Sequence, residues 1–292
     1  MKQFRLLIIS LRPRHWVKNL FIFAGPFFSL KLFKLENFEK LGLGLFYWCL
    51  LTSAMYLFND IVDRKEDLLH PEKKKRPLAS GNMNILMAYL LFILLSFISV
   101  IFSIKLDFYF SLFIILYFLV NIIYSIYLKH IFLLDVMCIS SGFVFRVLSG
   151  AVLINVGFSE WLLMCAFLLS LLLGFGKRQE ELTSLEDIAG LHRKVLKEYD
   201  KGFLEKVPYV LVSSTIVCYM LYTVSQEAIR KFGSKNLIYT TPFVIYGLLR
   251  YVYIAYEKKK GADPTQVLFQ DLPTLINIAL WLLTTGLIIY IK

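Results

Sequence analysis

Apolar residues along this chain fall in long runs separated by short charged connections, a pattern with the length of a bilayer crossing. Nine runs can be drawn, at about 16–33, 41–59, 84–104, 108–128, 131–153, 160–176, 206–225, 237–256 and 272–291. Each is close to the length, about 20 residues, that a transmembrane helix needs. The first is the weakest, being interrupted by Gly25 and Pro26. Membrane helices tolerate such residues where neighbours satisfy the freed backbone groups. The pattern predicts an all-α, polytopic membrane protein, a bundle of nine transmembrane helices forming one integral-membrane domain over residues 1–292. Residues 1–12 are amphipathic and too few to span, so they are expected along the membrane interface. No cleavable signal peptide is expected, since a compact apolar core followed by a small-residue cleavage site is lacking.

Composition agrees. The chain is 58% hydrophobic, with a mean hydropathy of +0.65. Its formal net charge of +11 is unevenly spread. Lys and Arg crowd the N-terminus, residues 60–80, the 129–130 turn, 177–206 and 257–271, whereas the alternate connections hold only scattered bases such as Lys105 and Arg230. The positive-inside rule makes the first set cytoplasmic. The N-terminus is then inside the cell (inner) membrane, the C-terminus outside, and any site in those loops faces the cytoplasm. The basic balance reflects these loops, and no nucleic-acid module is present. Cys49, Cys138, Cys165 and Cys218 all fall within predicted spans and imply neither disulfides nor a zinc site. The four histidines lie at or beside the cytoplasmic side without metal spacing, and interfacial packing is the default for each.

One polar stretch interrupts this apolar plan, NDIVDRKEDLLHPEKKKRPLASG at 59–81. On a helix Asn59, Asp63 and Asp67 fall in a stripe about 80° wide, with Asp60 beside it. Clustered acids repel and raise one another's pKa unless a cation lies among them. Their oxygens suit a hard ion such as Mg²⁺, which is commonly held by a few carboxylates plus substrate phosphates. About ten residues on come Lys73, Lys74, Lys75 and Arg76, with Lys74 and Arg76 the candidates for phosphate oxygens. The basic run alone reads equally well as a topology-setting loop. The acids begin within the end of an apolar helix, where ionisable groups are expensive and usually functional.

Other polar residues are less decisive. Lys18, beside Asn19, either snorkels or faces substrate. Tyr124 and Lys129 flank a cytoplasmic turn and could share a phosphate, with Asp135 orienting the lysine; an interfacial belt with a snorkelling lysine explains them as well. Asp135 and Arg146 are three helical turns apart on one face and should be buried. Gly142, Gly150 and Ala151 would allow close helix contact. The sixth run ends in GKRQEE, with Lys177, Arg178 and Glu181 repeating the formula of bases beside acids. A long, helix-like loop follows over about 178–204, and its Arg193, Lys194, Lys197 and Tyr199 are further phosphate-capable groups or parts of a charged surface helix.

Together these motifs make the chain resemble the UbiA superfamily of intramembrane prenyltransferases, and within it the decaprenyl-phosphate phosphoribosyltransferases. The matching stretches are RPRHWVKN (12–19), residues 59–81 with the NDxxDxxxD motif complete, YSIYLK (124–129), GFVFRVLSGA (142–151), GKRQEEL (176–182), RKVLKEYDKGFL (193–204) and ADPTQVL (262–268). The resemblance implies a UbiA-like nine-helix bundle. It also implies transfer of 5-phosphoribose from phosphoribosyl diphosphate to a polyprenyl phosphate, releasing diphosphate, for cell envelope biosynthesis. Mg²⁺ would lie at Asn59, Asp60, Asp63 and Asp67, with Asp60 and Asp63 central to catalysis. Lys18, Lys74, Arg76, Tyr124, Lys129, Lys177, Arg178 and Glu181 would contact substrate. The chain departs from aromatic prenyltransferases in carrying KRQEEL where those usually have a second, DxxxD motif, which suits a phosphate-rich substrate pair. The alternatives are prenyl transfer from a polyprenyl diphosphate to an aromatic acceptor, or a non-catalytic transporter or lipid-binding protein. Membrane lipids surround the chain on any reading. Its oligomeric state is open, a homo-oligomer included.

Overall fold

The computed structural model describes residues 2–185, 194–257 and 271–291. Arg193, the centre of the 178–204 loop and the stretch 262–268 therefore lie outside the described residues. The described chain is helical, and eight of its helices are long and apolar enough to cross a membrane. The chain divides into two compact units, residues 1–157 with 187–198, and 158–186 with 199–292.

In the first unit α1 (Lys2–Leu11) leads into a 3-10 helix, Pro13–Phe23, and a single turn, α2 (Ala24–Phe27). The first predicted span is thus not one α-helix. Pro13 stands at the start of the 3-10 segment and Pro26 within α2, where each removes a backbone donor. A 3-10 run of this length is uncommon and is sustained by tertiary contacts. α3 (Leu35–Val62) follows, then α4 (Arg64–Leu69), α5 (Ile85–Leu106), α6 (Phe108–Ile126) and α7 (Leu134–Leu153). At 28 residues α3 is about 42 Å long, more than the hydrocarbon thickness of about 30 Å. Its polar C-terminal end can therefore stand in the headgroup zone while its middle is buried.

The core of this unit is apolar and aromatic, built around Ile22, Trp48, Leu51, Phe110 and Ile114. Trp48 donates its indole N–H to Ser149 Oγ at 3.0 Å, so its one polar atom is satisfied. By contrast α5 buries only 17% of its most apolar stretch, whose mean hydropathy is 2.8. A helix that is apolar all round and little covered by protein is stable in lipid.

The second unit contains α8 (Glu160–Leu185), α9 (Lys201–Val224), α10 (Gln226–Phe232), α11 (Thr241–Val252) and α12 (Leu272–Tyr290). α8 packs along α9, and Tyr199, buried, sets its ring edge-on to Phe175 at 6.3 Å. Tyr199 thus belongs to the packing of this unit, whereas Lys197, in the first, is exposed. Asp271 caps α12 by accepting from Thr274 N–H at 2.9 Å, and Arg250 clamps it with bonds of 2.6 and 2.8 Å.

Candidate active site

The predicted acid stripe exists, with a joint in it. α3 ends at Val62 and α4 begins at Arg64, leaving Asp63 between them. Hydrogen bonding nevertheless runs on through the joint. Asp63 N–H donates to the Asn59 carbonyl and Asp67 N–H to the Asp63 carbonyl, both at 2.8 Å. Helical phase is kept, so Asn59, Asp60, Asp63 and Asp67 stay together. Asp60 is 2% exposed and Asp67 4%.

Buried carboxylates need charge partners and hydrogen bonds. Here each acid has a base. Arg12 and Arg76 both donate to Asp60 Oδ1, the latter at 3.0 Å, and Arg76 also donates to Asp67 Oδ2 at 2.6 Å. Lys129 donates to Asp63 Oδ1, and Asn59 Nδ2 donates to Asp63 Oδ2 at 2.9 Å. Local sequence explains the reach of Arg76. Pro77 forces Arg76 into extended backbone, off the end of the Lys73–Lys75 turn and back toward α3. Gly81 then turns the chain at φ +74°, so that Asn84 can cap α5. Lys129 stands in the 3-10 turn Leu128–His130 after α6 and is buried.

Arg12 was not among the residues singled out from the sequence, although it opens the RPRHWVKN stretch. Its backbone is left-handed, at φ 51°, and its guanidinium lies 4.9 Å from the centre of the Tyr56 ring. Strained backbone of this kind persists where surrounding contacts fix it, commonly at functional sites. A residue before proline at a helix start looks like a cap, and nothing local signals its ion pair with Asp60, 48 positions away.

Burial pushes the Asp67 carboxyl above the usual aspartate range, with Arg76 pulling it down and Asp60 pushing it further up. Asp63, Glu66, Asp67, Lys73 and Lys129 line a cavity of about 50 Å³, roomy enough for a small ion with water. No three or more acidic, histidine or cysteine side chains converge on one point among the described residues, because bases stand between the acids. The donor chemistry still fits Mg²⁺, which takes one or two carboxylates and completes its shell with phosphate and water.

The other expected residues are distributed as follows. Lys74 is exposed, and Lys18 and Tyr124 are half-buried. Lys129 pairs with Asp63 and not with Asp135, which is fully buried. Arg146 is buried as expected, but its hydrogen bonds go to neutral groups: Asn19 Oδ1 at 2.8 Å, the Gly142 carbonyl at 2.7 Å and Tyr117 Oη at 3.3 Å. Trp48 and Tyr117 present their rings to it at 4.9 and 4.8 Å. Cation–π contact thus supplies what a carboxylate would. Asn19 also donates to Thr52 Oγ1 at 3.1 Å, which ties the 3-10 segment to α3 and α7. In the second unit Lys177 is exposed, while Arg178 is buried and donates to Glu181 Oε2 at 2.5 Å.

Comparison with known proteins gives a consistent answer. The profile of the UbiA prenyltransferase family matches residues 20–272. The chain is 30% identical over 295 residues to a decaprenyl-phosphate phosphoribosyltransferase of Mycolicibacterium smegmatis, covering 97% of this chain and 92% of that one. A protein of the same name from Mycobacterium tuberculosis is 27% identical over 284 residues, covering 96% and 93%. A solved UbiA homologue from Archaeoglobus fulgidus, bound to GPP and Mg²⁺, has the same fold, with a TM-score of 0.74 at 20% identity over 98% of this chain and all of that one. The chain is therefore a member of the UbiA prenyltransferase family, an integral-membrane transferase.

Proposed function

We propose that this transferase moves 5-phosphoribose from phosphoribosyl diphosphate to a polyprenyl phosphate of decaprenyl type. The observation that carries the reading is the interleaving of three carboxylates with Arg12, Arg76 and Lys129 in one site. Such a site suits a metal–diphosphate group and further phosphate oxygens together. The names of relatives matching nearly the whole chain support it.

In the reaction the ribose C1–O bond to diphosphate breaks as a lipid phosphate oxygen bonds to C1. That oxygen is already anionic, so no base is needed, and catalysis rests on positioning and charge stabilisation. Asp60, Asp63 and Asp67, with Asn59, would hold Mg²⁺, which neutralises charge on the departing diphosphate. Arg76 and Lys74 would receive the diphosphate oxygens. Lys18, Lys129, Lys177 and Arg178 would serve the 5-phosphate and the lipid phosphate, with Tyr124 and Glu181 also contacting substrate. The site would face the cytoplasm, with the N-terminus inside and the C-terminus outside, as the charge distribution implies. The test is release of diphosphate by the purified protein. Release that requires Mg²⁺, phosphoribosyl diphosphate and polyprenyl phosphate together supports the reading; release from a prenyl diphosphate with an aromatic acid instead would overturn it.

A further inference from the structure

The ion pairs at the acid cluster compete with a metal for the carboxylate oxygens. Asp60 Oδ1 already accepts from two guanidinium groups, Arg12 and Arg76. Arg76 also occupies Asp67 Oδ2, and Lys129 with Asn59 takes both oxygens of Asp63. An oxygen with two donors directed at it presents no lone pair to a cation. Yet the same bases have no acceptor capacity of their own and bind phosphate as readily as carboxylate.

We propose that Arg12, Arg76 and Lys129 are exchangeable counter-ions, displaced from Asp60, Asp67 and Asp63 by the metal and transferred to the phosphate oxygens that arrive with it. This rests on the reading of the acids as the metal site and adds how that site is kept in order. Without these bases the acids would be left buried and repelling one another. With them, the carboxylates are held in their phase on α3 and α4. The metal alone then binds weakly, because it strands three cations in a partly buried site. The metal with a diphosphate binds well, because every displaced base finds a new anion. The coupling between the two is a property of the site, with a typical size of roughly 5–150-fold.

Arg12 is the most informative probe. It reaches the site from the 3-10 segment rather than from the acid-bearing loop, and its side chain is only 20% exposed. Arg12→Gln frees one donor from Asp60 and leaves the acids in place.

The test is direct binding of Mn²⁺ to the purified protein, read by the loss of its free EPR signal, with and without inorganic diphosphate. Wild-type protein should bind Mn²⁺ weakly alone and tighten in the presence of diphosphate by the factor above. Arg12→Gln and Lys129→Gln should each bind Mn²⁺ alone about tenfold more tightly than wild type while losing most of the diphosphate coupling. Lys75→Gln removes an exposed charge paired with Glu72, and should change neither quantity more than about twofold. That separates exchange from a general change of charge. Bare-metal affinity in both Arg12→Gln and Lys129→Gln equal to or weaker than wild type, with coupling intact, overturns the proposal. If one of the two variants fails to fold, the other still decides, since they release different carboxylates. No sugar or lipid substrate enters the assay, so its failure leaves phosphoribosyl transfer untouched. Absence of Mn²⁺ binding altogether would fall on the metal site itself and overturn both.

Discussion

Gly150→Ala is a severe test of how the first span is held. A Cβ at Gly150 would stand 1.8 Å from the Ile22 carbonyl oxygen and 2.8 Å from its carbon, whereas real Cβ contacts below 3.0 Å are essentially not found. The carbonyl is backbone of the 3-10 segment and cannot swing away as a side chain would. That segment must retreat by at least 1.2 Å from α7. Overpacking of this kind costs about 1–3 kcal/mol and sometimes more. The shift also pulls Asn19 from Arg146, leaving a buried cation short of a partner at about 1–3 kcal/mol. The two effects together lower stability by roughly 2–6 kcal/mol, which corresponds to a fall in Tm of about 10 °C. Because Arg12 and Lys18 ride on the same segment, donor affinity should fall with it. Thermal unfolding in detergent measures the first and diphosphate binding the second. Gly42→Ala is the control, with nothing within 4 Å of the added methyl. A Gly150→Ala protein with wild-type Tm and affinity would refute the close packing of the 3-10 segment on α7.

Asp63→Ala should abolish turnover and lower Tm by several degrees, since it strands Lys129, which is buried. Asp60→Ala should abolish turnover and also lower Tm by several degrees, because Arg12 and Arg76 lose a shared partner; near-normal activity of either in Mg²⁺ would contradict the metal site. Lys177→Ala should weaken phosphoribosyl diphosphate binding by roughly ten- to a hundredfold with Tm unchanged. Arg178→Ala should weaken it too but also destabilise, since buried Glu181 loses a charge partner; isothermal titration with thermal unfolding separates the two. Stability should show a pH slope from Asp67: its raised pKa means that the folded state binds its proton more tightly than the unfolded chain. Stability from this group is then full below the ordinary aspartate range and declines as pH rises above it, and the slope should vanish in Asp67→Asn.

The helices were legible because hydropathy and length are local properties of the chain, and eight predicted spans coincide with helices to within a few residues at most of their ends. The 3-10 form of the first span was not. Gly25 and Pro26 signalled an interruption, but the long 3-10 run depends on Asn19 meeting Arg146, 127 positions away, and on the missing side chain at Gly150 beside it. The acid stripe was readable from helical phase alone, which survives the joint at Asp63. Its pairing was not. Arg12 and Lys129 reach Asp60 and Asp63 across 48 and 66 positions, and only the fold brings those charges together. Asp135 and Arg146 share a helix face as phase requires, yet same-face placement three turns apart does not make a pair, and aromatic rings took the partner's role for Arg146.

The central claim is that a phosphoribosyl group ends on a lipid phosphate, and the mass of the lipid product tests it most directly. Purified protein is incubated with phosphoribosyl diphosphate, Mg²⁺ and polyprenyl phosphate, and the lipid extract is analysed by mass spectrometry. The account predicts a new lipid heavier by one phosphoribosyl unit, formed only when all three are present and missing with Asp63→Ala protein. An unchanged lipid, alongside a prenylated aromatic acid when prenyl diphosphate is supplied instead, would contradict it.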